Sequence, residues 1–396
     1  MRIFLLPLFI ALVIDILADI YIYKQLAKIQ GRVSNILKSS HLALSLILGA
    51  AAIFLAVAPR HFFSGHQNYL AIGIYYYATI LTAKVIYMIF AFILQLFIKR
   101  KARRFAHIIA TIAACGVLCE AMMATFHTRY DVNINHVTLT FDDLPEQFDG
   151  YRIAQFSDFH VDSYGSDTTF VEKAVRAINA EHPDITLFTG DLVSGKADEV
   201  TPFLGNLRQL HAPDGVISIL GNHDYSDYCI WADTNDKKAD HAKLINYERS
   251  IGWDLLLNET RNIRRGNDSI MIIGVENIAK PPFITYGDLK KSYPSLKDNN
   301  FKILLSHNPT HWKKEVVTDS NIQLTLSGHT HAMQMAIHIF GKDFSPSAFI
   351  YKEWEGLYHT DSSQYLYVNT GLGCVGMPAR FGVKPEITII TLKCNQ

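Results

Sequence analysis

The chain has little charge, few cysteines and no net charge. Only 19% of its 396 residues are Asp, Glu, Lys or Arg, and 37 basic side chains balance 37 acidic ones. With 49% hydrophobic residues, so low a charge excludes disorder over most of the length, because such a chain either buries a large core or enters lipid. Five cysteines in a chain of this size imply no disulfide framework. Cys115 and Cys119 fall in an apolar run, and Cys229, Cys374 and Cys394 leave an odd number elsewhere, enough for one bridge at most. No internal repeat or low-complexity tract is present, and collagen, coiled coil and a stapled miniprotein are excluded.

What is present is unevenly distributed. Residues 1–130 carry 13 Lys and Arg against three acids, Asp15, Asp19 and Glu120, so a first third at +10 cancels a remainder at −10. Four apolar segments occupy roughly 3–23, 39–59, 69–97 and 105–126, each near the ~20 residues that a helix needs to cross a bilayer. A helix of a soluble core would show a polar face, whereas Leu46 to Val57 has no polar side chain. Asp15 and Asp19 interrupt the first run and Arg2 alone is a weak basic start, which argues against a cleaved signal peptide.

Basic loops set the orientation, because Lys and Arg are retained on the cytoplasmic side. Loop one holds Lys24, Lys28, Arg32 and Lys38, and loop three holds Lys99, Arg100, Lys101, Arg103 and Arg104, whereas loop two has only Arg60. The expectation is a multi-pass protein of a plasma or inner membrane, with the N-terminus and everything after residue 130 extracytoplasmic. Lys84 falls mid-span at a depth similar to that of Asp15, so an interhelical ion pair is expected between them.

From residue 131 to 396 the pattern becomes that of a large α/β domain. Short apolar runs at Arg152–Phe156, Ile185–Phe188, Val216–Leu220, Ile270–Gly274, Lys302–Leu305, Ile322–Leu326 and Leu366–Val368 read as buried strands, with helices near 168–181 and 200–210. The polar stretch Asp233–Lys243 reads as a surface excursion or helical insertion. Five of these strands run into Asp, Asn or His: Ser157-Asp158-Phe159-His160, Thr189-Gly190-Asp191, Gly221-Asn222-His223-Asp224, Ser306-His307-Asn308 and Ser327-Gly328-His329-Thr330-His331. Such strand ends are where parallel sheets place ligands. In extended backbone, positions i and i+2 share a side, so Asp158 with His160, and His329 with His331, are each expected to face one centre. Carboxylate, amide oxygen and imidazole without thiolate suit Mn, Fe, Zn or Ni rather than a structural zinc site. Gly190, Gly221 and Gly328 precede ligands, where a missing Cβ permits close approach.

The ordered set DxH, GD, GNHD, H and GHTH resembles the calcineurin-like metallophosphoesterases. Leu144-Pro145, Phe148-Asp149-Gly150-Tyr151-Arg152-Ile153, Asn369-Thr370-Gly371-Leu372-Gly373, Arg380-Phe381 and Pro385-Glu386 are similar to flanking sequence of the family's membrane-anchored bacterial branch. The resemblance implies a four-layer αββα sandwich, here preceded by an all-α domain of four transmembrane helices, and two divalent metal ions as cofactors. It implies Asp158, His160 and His331 on the first metal, Asp191 bridging, and Asn222, His307 and His329 on the second. His223 would be the acid that protonates the leaving oxygen, with Asp224 orienting it; an imidazole titrates near neutrality and suits that task. Two departures bear on substrate choice: Ala332-Met333-Gln334 follows His331 where the branch has Gly-Gly-Gln, and Glu276-Asn277 replaces an acidic pair.

These readings together describe a membrane-bound phosphoesterase that hydrolyses a phosphate ester or pyrophosphate. Its expected partners are the lipid bilayer and a phosphorylated, lipid-linked substrate, since four spans exceed what a tether requires. The aromatic-rich segments Phe340–Phe349 and Tyr351–Tyr358 are candidates to face a bilayer and admit a lipid. An acidic outer domain without a basic stripe disfavours nucleic acid. The alternatives are a phosphodiesterase of small soluble nucleotides, or a non-catalytic transporter or sensor with an inactive domain.

Overall fold

The computed structural model describes residues 5–29, 31–57, 67–99, 102–279, 281, 283–360 and 364–395. Arg2, Arg60, Arg100 and Lys101, which entered the orientation reading, lie outside them. The chain divides into two compact units, Met1–Thr125 with Gly376–Pro378, and Phe126–Val375 with Ala379–Gln396. All five cysteines are free.

The first unit is helical: α1 (Leu5–Leu26), α2 (Arg32–Val57), α3 (Gln67–Phe97) and α4 (Arg103–Phe126). Among the described residues, three stretches are long and apolar enough to cross a membrane: Arg32–Leu55, Leu70–Phe97 and Arg103–Tyr130. Helix α1 packs against α2 and α3. Its two carboxylates converge on α3, where Lys84 Nζ lies 2.8 Å from Asp15 Oδ1 and 2.9 Å from Asp19 Oδ1. The expected Asp15–Lys84 pair therefore forms, and Asp19, one helical turn further on, shares the same ammonium. Charges that lipid cannot solvate are thus kept inside the helix bundle. The Tyr77 hydroxyl adds a hydrogen bond to Asp15 Oδ2 at 3.3 Å.

The second unit contains two six-stranded sheets. In spatial order the first is β1 (Asn133–Phe141), β14 (Glu386–Cys394), β2 (Arg152–Phe156), β3 (Ile185–Phe188), β4 (Val216–Ser218) and β5 (Asp254–Leu255). The second is β12 (Gly356–His359), β13 (Tyr365–Val368), β9 (Leu324–Ser327), β8 (Phe301–Leu305), β7 (Asp268–Gly274) and β6 (Glu259–Arg265). A separate hairpin pairs β10 (Ile337–Ile339) with β11 (Lys342–Phe344). The central strands β2 to β5, and β7, β8, β9 and β13, run parallel.

Both faces of these strands are covered, which is why they read as unbroken apolar runs rather than as alternation. In β2, Ile153 points between the sheets and Ala154 and Phe156 point outward. In β8, Ile303 and Leu305 face the inter-sheet core while Leu304 faces the opposite layer. Outside the first sheet lie α5 (Thr169–Ala180), α6 (Leu204–Leu207) and α7 (Thr234–Ser250), with Phe170, Val171, Ala174, Val175 and Ile178 forming the buried stripe of α5. Outside the second lie α8 (Leu289–Ser292), the wide turn Trp312–Val316 and α9 (Val317–Asp319), which contribute Leu289, Trp312 and Val316. The result is the helix–sheet–sheet–helix sandwich.

Several elements differ from the sequence reading. The run from Val216 leaves the sheet after Ser218, and β9 starts at Leu324, two residues later than the apolar run. Strands β1, β5, β6 and β12 were not expected, because edge strands such as β6, Glu-Thr-Arg-Asn-Ile-Arg-Arg, carry too few apolar residues to stand out, and the interior strand β14 was not expected either. The polar stretch after Asp233 is the first half of α7, and the Asp233 carboxylate caps it by accepting from the Asn235 amide at 3.1 Å.

Candidate metal centre

The ends of β2, β3, β4, β8 and β9 meet at one edge of the sandwich and bring all nine expected site residues into one neighbourhood. The expected ligands do not sit on extended backbone, as the i, i+2 reasoning assumed. Asp158 (φ 49°), His160 (φ 40°), Asp191 (φ 60°), His329 (φ 74°) and His331 (φ 50°) all occupy the left-handed region. Strand ends give way to tight turns here, so convergence comes from turn geometry rather than pleat. One consequence is that His329 and His331 part company. His331 joins Asp158 and His160, while His329 joins Asp191 and His307; a third overlapping group is His160, Asp191 and His223.

Hydrogen bonds fix each donor. Asp158 is almost fully enclosed, accepts from the His329 amide at 2.9 Å and lies 3.1 Å from His331 Nε2. Gly328 must be glycine, because a Cβ there would overlap the Asp158 carboxylate and the Ser157 hydroxyl. Gly221 stands in the same relation to Asp191. His307 donates Nδ1–H to the Thr189 carbonyl at 2.8 Å, so Nε2 faces Asp191 Oδ2 at 3.1 Å and Asn222 Oδ1 at 3.0 Å. His160 Nε2 lies 3.7 Å from Asp191 Oδ2. The amide of Asn222 is held the right way round by its bond to the Tyr228 hydroxyl at 3.0 Å.

The charges of these groups are mutually dependent. Burial works against ionisation of Asp158, but His331 and His307 outweigh it and hold the carboxyl well below the usual range. Asp191 is likewise held low against its burial, by His307 and His223. Burial opposes a charge on His307, yet Asp191 and Asp158 raise it to about 9, whereas burial and then His307 push His329 down to about 3. Burial also pushes His160 well down.

The donors fit divalent cations. Nε2 of His160 is buried beside Asp191 without a hydrogen-bond partner, which is costly unless an ion satisfies it. Carboxylate and imidazole alternate around Asp191, with an amide oxygen nearby and no thiolate, the chemistry of borderline first-row metals.

Residues 151–333 match the calcineurin-like phosphoesterase family. The chain is also 33% identical over 257 residues to the uncharacterized metallophosphoesterase YkuE of Bacillus subtilis, a match covering 63% of this chain and 82% of that one. The chain belongs to the calcineurin-like phosphoesterases. It is therefore a hydrolase. Two further similarities extend to proteins named for a lipid substrate and for a membrane. One is the UDP-2,3-diacylglucosamine pyrophosphatase LpxG of Chlamydia trachomatis, 28% identical over 306 residues, 65% of this chain and 89% of LpxG. The other is the transmembrane protein with metallophosphoesterase domain of Bos taurus, 28% identical over 256 residues, 63% of this chain but only 54% of the bovine protein. With the three apolar helices, these similarities mark a membrane-associated phosphoesterase.

Two features of this calcineurin-like site depart from expectation. Asp224, expected to orient His223, does not bond to its ring. Its buried carboxylate accepts from the amides of Asp191 (2.7 Å), Gly221 (2.8 Å), Leu192 (2.9 Å) and Val193 (3.2 Å), and so ties the β3 and β4 loops together. Burial and the nearby Asp191 push it up to about 7 against those donors. The His223 ring instead donates Nδ1–H to the Ser194 carbonyl at 2.7 Å.

The other is the part played by residues that sequence reasoning left without a role. Ser194 Oγ lies 3.2 Å from His160 Nδ1 and donates to Asp162 at 2.5 Å. Tyr351 bonds His329 Nε2 at 3.0 Å. Arg380 is fully buried and holds the carbonyls of Thr370, Gly371 and Gly373, whose loop grips the Ser157 and Asp158 carbonyls through the Leu372 and Gly373 amides. Glu386 accepts from Thr370 N and Oγ1, both at 2.9 Å, and secures the same loop. The flanking Asn-Thr-Gly-Leu-Gly, Arg-Phe and Pro-Glu sequences were the signal. Only the fold shows that they support the Asp158 turn.

Proposed function

We propose that the chain is an integral-membrane, dinuclear-metal phosphoesterase acting outside the cytoplasm on a lipid-linked phosphate ester or pyrophosphate. The observation that carries this reading is the pair of carboxylate–histidine clusters that overlap at Asp191. Asp158, His160, His331 and Asp191 would hold one cation, and Asp191, Asn222, His307 and His329 the other. Divalent cations bound there would supply an activated water and Lewis acidity toward phosphoryl oxygens. His223, pinned at Nδ1 by Ser194, presents its other ring nitrogen to the site and protonates the leaving oxygen. Asp224 keeps the two loops at a fixed separation.

Four membrane crossings are supported by the exposed apolar side chains of α1, among them Phe9, Ile10, Ile16, Leu17 and Ile20, beside the three longer apolar helices. The basic residues of loops one and three support a cytoplasmic position for those loops and an extracytoplasmic catalytic unit. The lipid-linked substrate is supported by the similarity to LpxG. The test uses the full chain purified in detergent, with metal analysis, turnover of a chromogenic phosphodiester, and mass spectrometry of a membrane lipid extract after incubation. Bound metal, turnover and a dephosphorylated lipid are expected. A protein with neither metal nor turnover overturns the enzyme reading, and turnover without any change in the lipids overturns the substrate.

A further inference from the structure

After His331 the chain is still held at Gln334, whose buried side chain donates to the Ala379 carbonyl and accepts from the Val375 amide. From Met335 to Ile350 it builds the β10–β11 hairpin and a short turn, then returns at Tyr351 to hydrogen-bond His329. The excursion is rooted in the site at both ends, since Ser345 Oγ also donates to the Ala332 carbonyl at 2.7 Å. The hairpin pairs with neither six-stranded sheet, and every residue of both strands is exposed. A lone two-stranded hairpin in water is marginally stable and has no reason to carry a row of large apolar side chains.

It nevertheless carries one. Ile337, Ile339 and Phe344 share one face by strand alternation and register, while His338 and Asp343 pair on the other. Phe340 at the tip is 100% exposed, and Phe349, in the turn that follows, is 93% exposed with Ile350 beside it. Lys342, paired with Ile339, lies on the same face as those apolar side chains, next to the aromatic tip. An apolar face with an aromatic tip, a basic flank and a polar reverse is the composition of a segment lying in the lipid interface. The membrane spans proposed above would tether the hairpin's unit to a bilayer, since three helices are long and apolar enough to cross one. A solvated loop of a freely diffusing enzyme would not explain six large apolar side chains in one excursion.

We propose that the Met335–Ile350 excursion inserts its apolar face into the bilayer surface and thereby delivers acyl-chain-bearing substrates to the metal centre along the membrane plane. The delivery part rests on the lipid-linked reading above, and the insertion part on the membrane anchoring of that same reading. The partner is the lipid surface, and a second copy of the chain or a soluble protein are the competing occupants.

The experiment reconstitutes full-length Phe340→Trp in vesicles whose lipids are brominated on the acyl chains, with the parent protein as reference for its own tryptophans. Bromolipid quenching of the added emission, with a blue shift relative to detergent, is expected. An unquenched, unshifted signal overturns insertion, and a signal shielded from bromolipid at high protein that becomes quenched only on diluting protein at constant lipid assigns the face to a second copy and overturns it too. The double variant Phe340→Ser/Phe349→Ser is then assayed on a lipid-linked phosphodiester in vesicles and on a soluble chromogenic phosphodiester. A loss of about tenfold or more on the lipid with the soluble rate retained is expected from removing two buried aromatic contacts. Equal rates on the lipid overturn delivery. Quenching without any lipid turnover, in the variant or the parent, defeats the substrate reading while leaving insertion standing.

Discussion

The carbonyl oxygen of Ser194 accepts the Nδ1 proton of His223 at 2.7 Å, so a backbone atom fixes the tautomer of the ring assigned as acid. The hydroxyl of the same residue sits 3.2 Å from Nδ1 of His160. One serine thus orients a candidate ligand through its side chain and a candidate acid through its main chain. The two functions separate by mutation.

Ser194→Ala keeps the carbonyl and removes the hydroxyl. Metal affinity is expected to fall about tenfold, as for other losses of a hydrogen bond to a ligating histidine, while the rate at saturating metal changes little. Metal titration monitored by activity and by calorimetry checks this. A drop in saturated rate with unchanged affinity assigns the hydroxyl to the chemistry instead.

His223→Ala is expected to retain metal and lose roughly 10²- to 10⁴-fold in turnover of an ester with a poor leaving group, and less for a nitrophenol that departs without a proton. Asp191→Asn removes the carboxylate common to two candidate clusters, and metal content itself should fall. Metal stoichiometry and rate measured on the same preparations distinguish the two behaviours.

Met333 stands at φ 50°, within a left-handed run from His331 to Gln334. A side chain in that conformation costs about 1–2 kcal/mol, which glycine avoids. Met333→Gly is therefore expected to stabilise the protein by about 1 kcal/mol, read as a higher Tm in detergent, and a lower Tm contradicts the strain. The related branch's Gly-Gly at this turn has the same physical explanation.

Glu248 is fully buried beside Ser218, whose hydroxyl donates to Oε2 at 2.6 Å, and its Oε1 has no partner. Burial, reinforced by Asp224, raises it to about 8. A carboxyl raised in the folded state contributes its full stability below the unfolded value near 4.5, and that contribution is lost as pH climbs through 8. Glu248→Gln should melt like the parent near pH 4.5 and several degrees higher above pH 8. Equal differences at both pH values contradict the buried ionisation.

Lys84→Met leaves Asp15 and Asp19 without their shared cation. Breaking a buried pair from one side typically costs about 3–5 kcal/mol. Expression and Tm should fall, with recovery when Asp15→Asn and Asp19→Asn are added. Unaltered Tm in the single variant removes the pair from the forces that hold the helices.

Much of the site was readable because its chemistry is local. Asp158 with His160, Asp191, Asn222 with His223, His307 and His329 with His331 each follow a strand-length apolar run; β2, β3 and β8 end where those runs predicted, whereas β4 ends two residues early and β9 one residue late. Less readable were β1, β5, β6 and β12. Edge strands bury one face or less, so their sequences carry a weak pattern. β14 joins the first sheet from the far end of the chain, where no local signal specifies its neighbours β1 and β2.

By itself the sequence determined which carboxylate, amide and imidazole residues gather at the strand ends and which segments are too apolar for water, since both follow from composition over a few adjacent positions. It also determined the charge division between the two parts. How the candidate ligands sort was implied by the family resemblance, but only tertiary structure shows what produces it. His329 and His331, two residues apart, enter different clusters because each lies in a left-handed turn, and a turn sends neighbouring side chains in different directions where a strand would send them together. Tertiary structure likewise gave Asp224 to four amides instead of to His223, because a buried carboxylate binds the donors that the fold brings within reach.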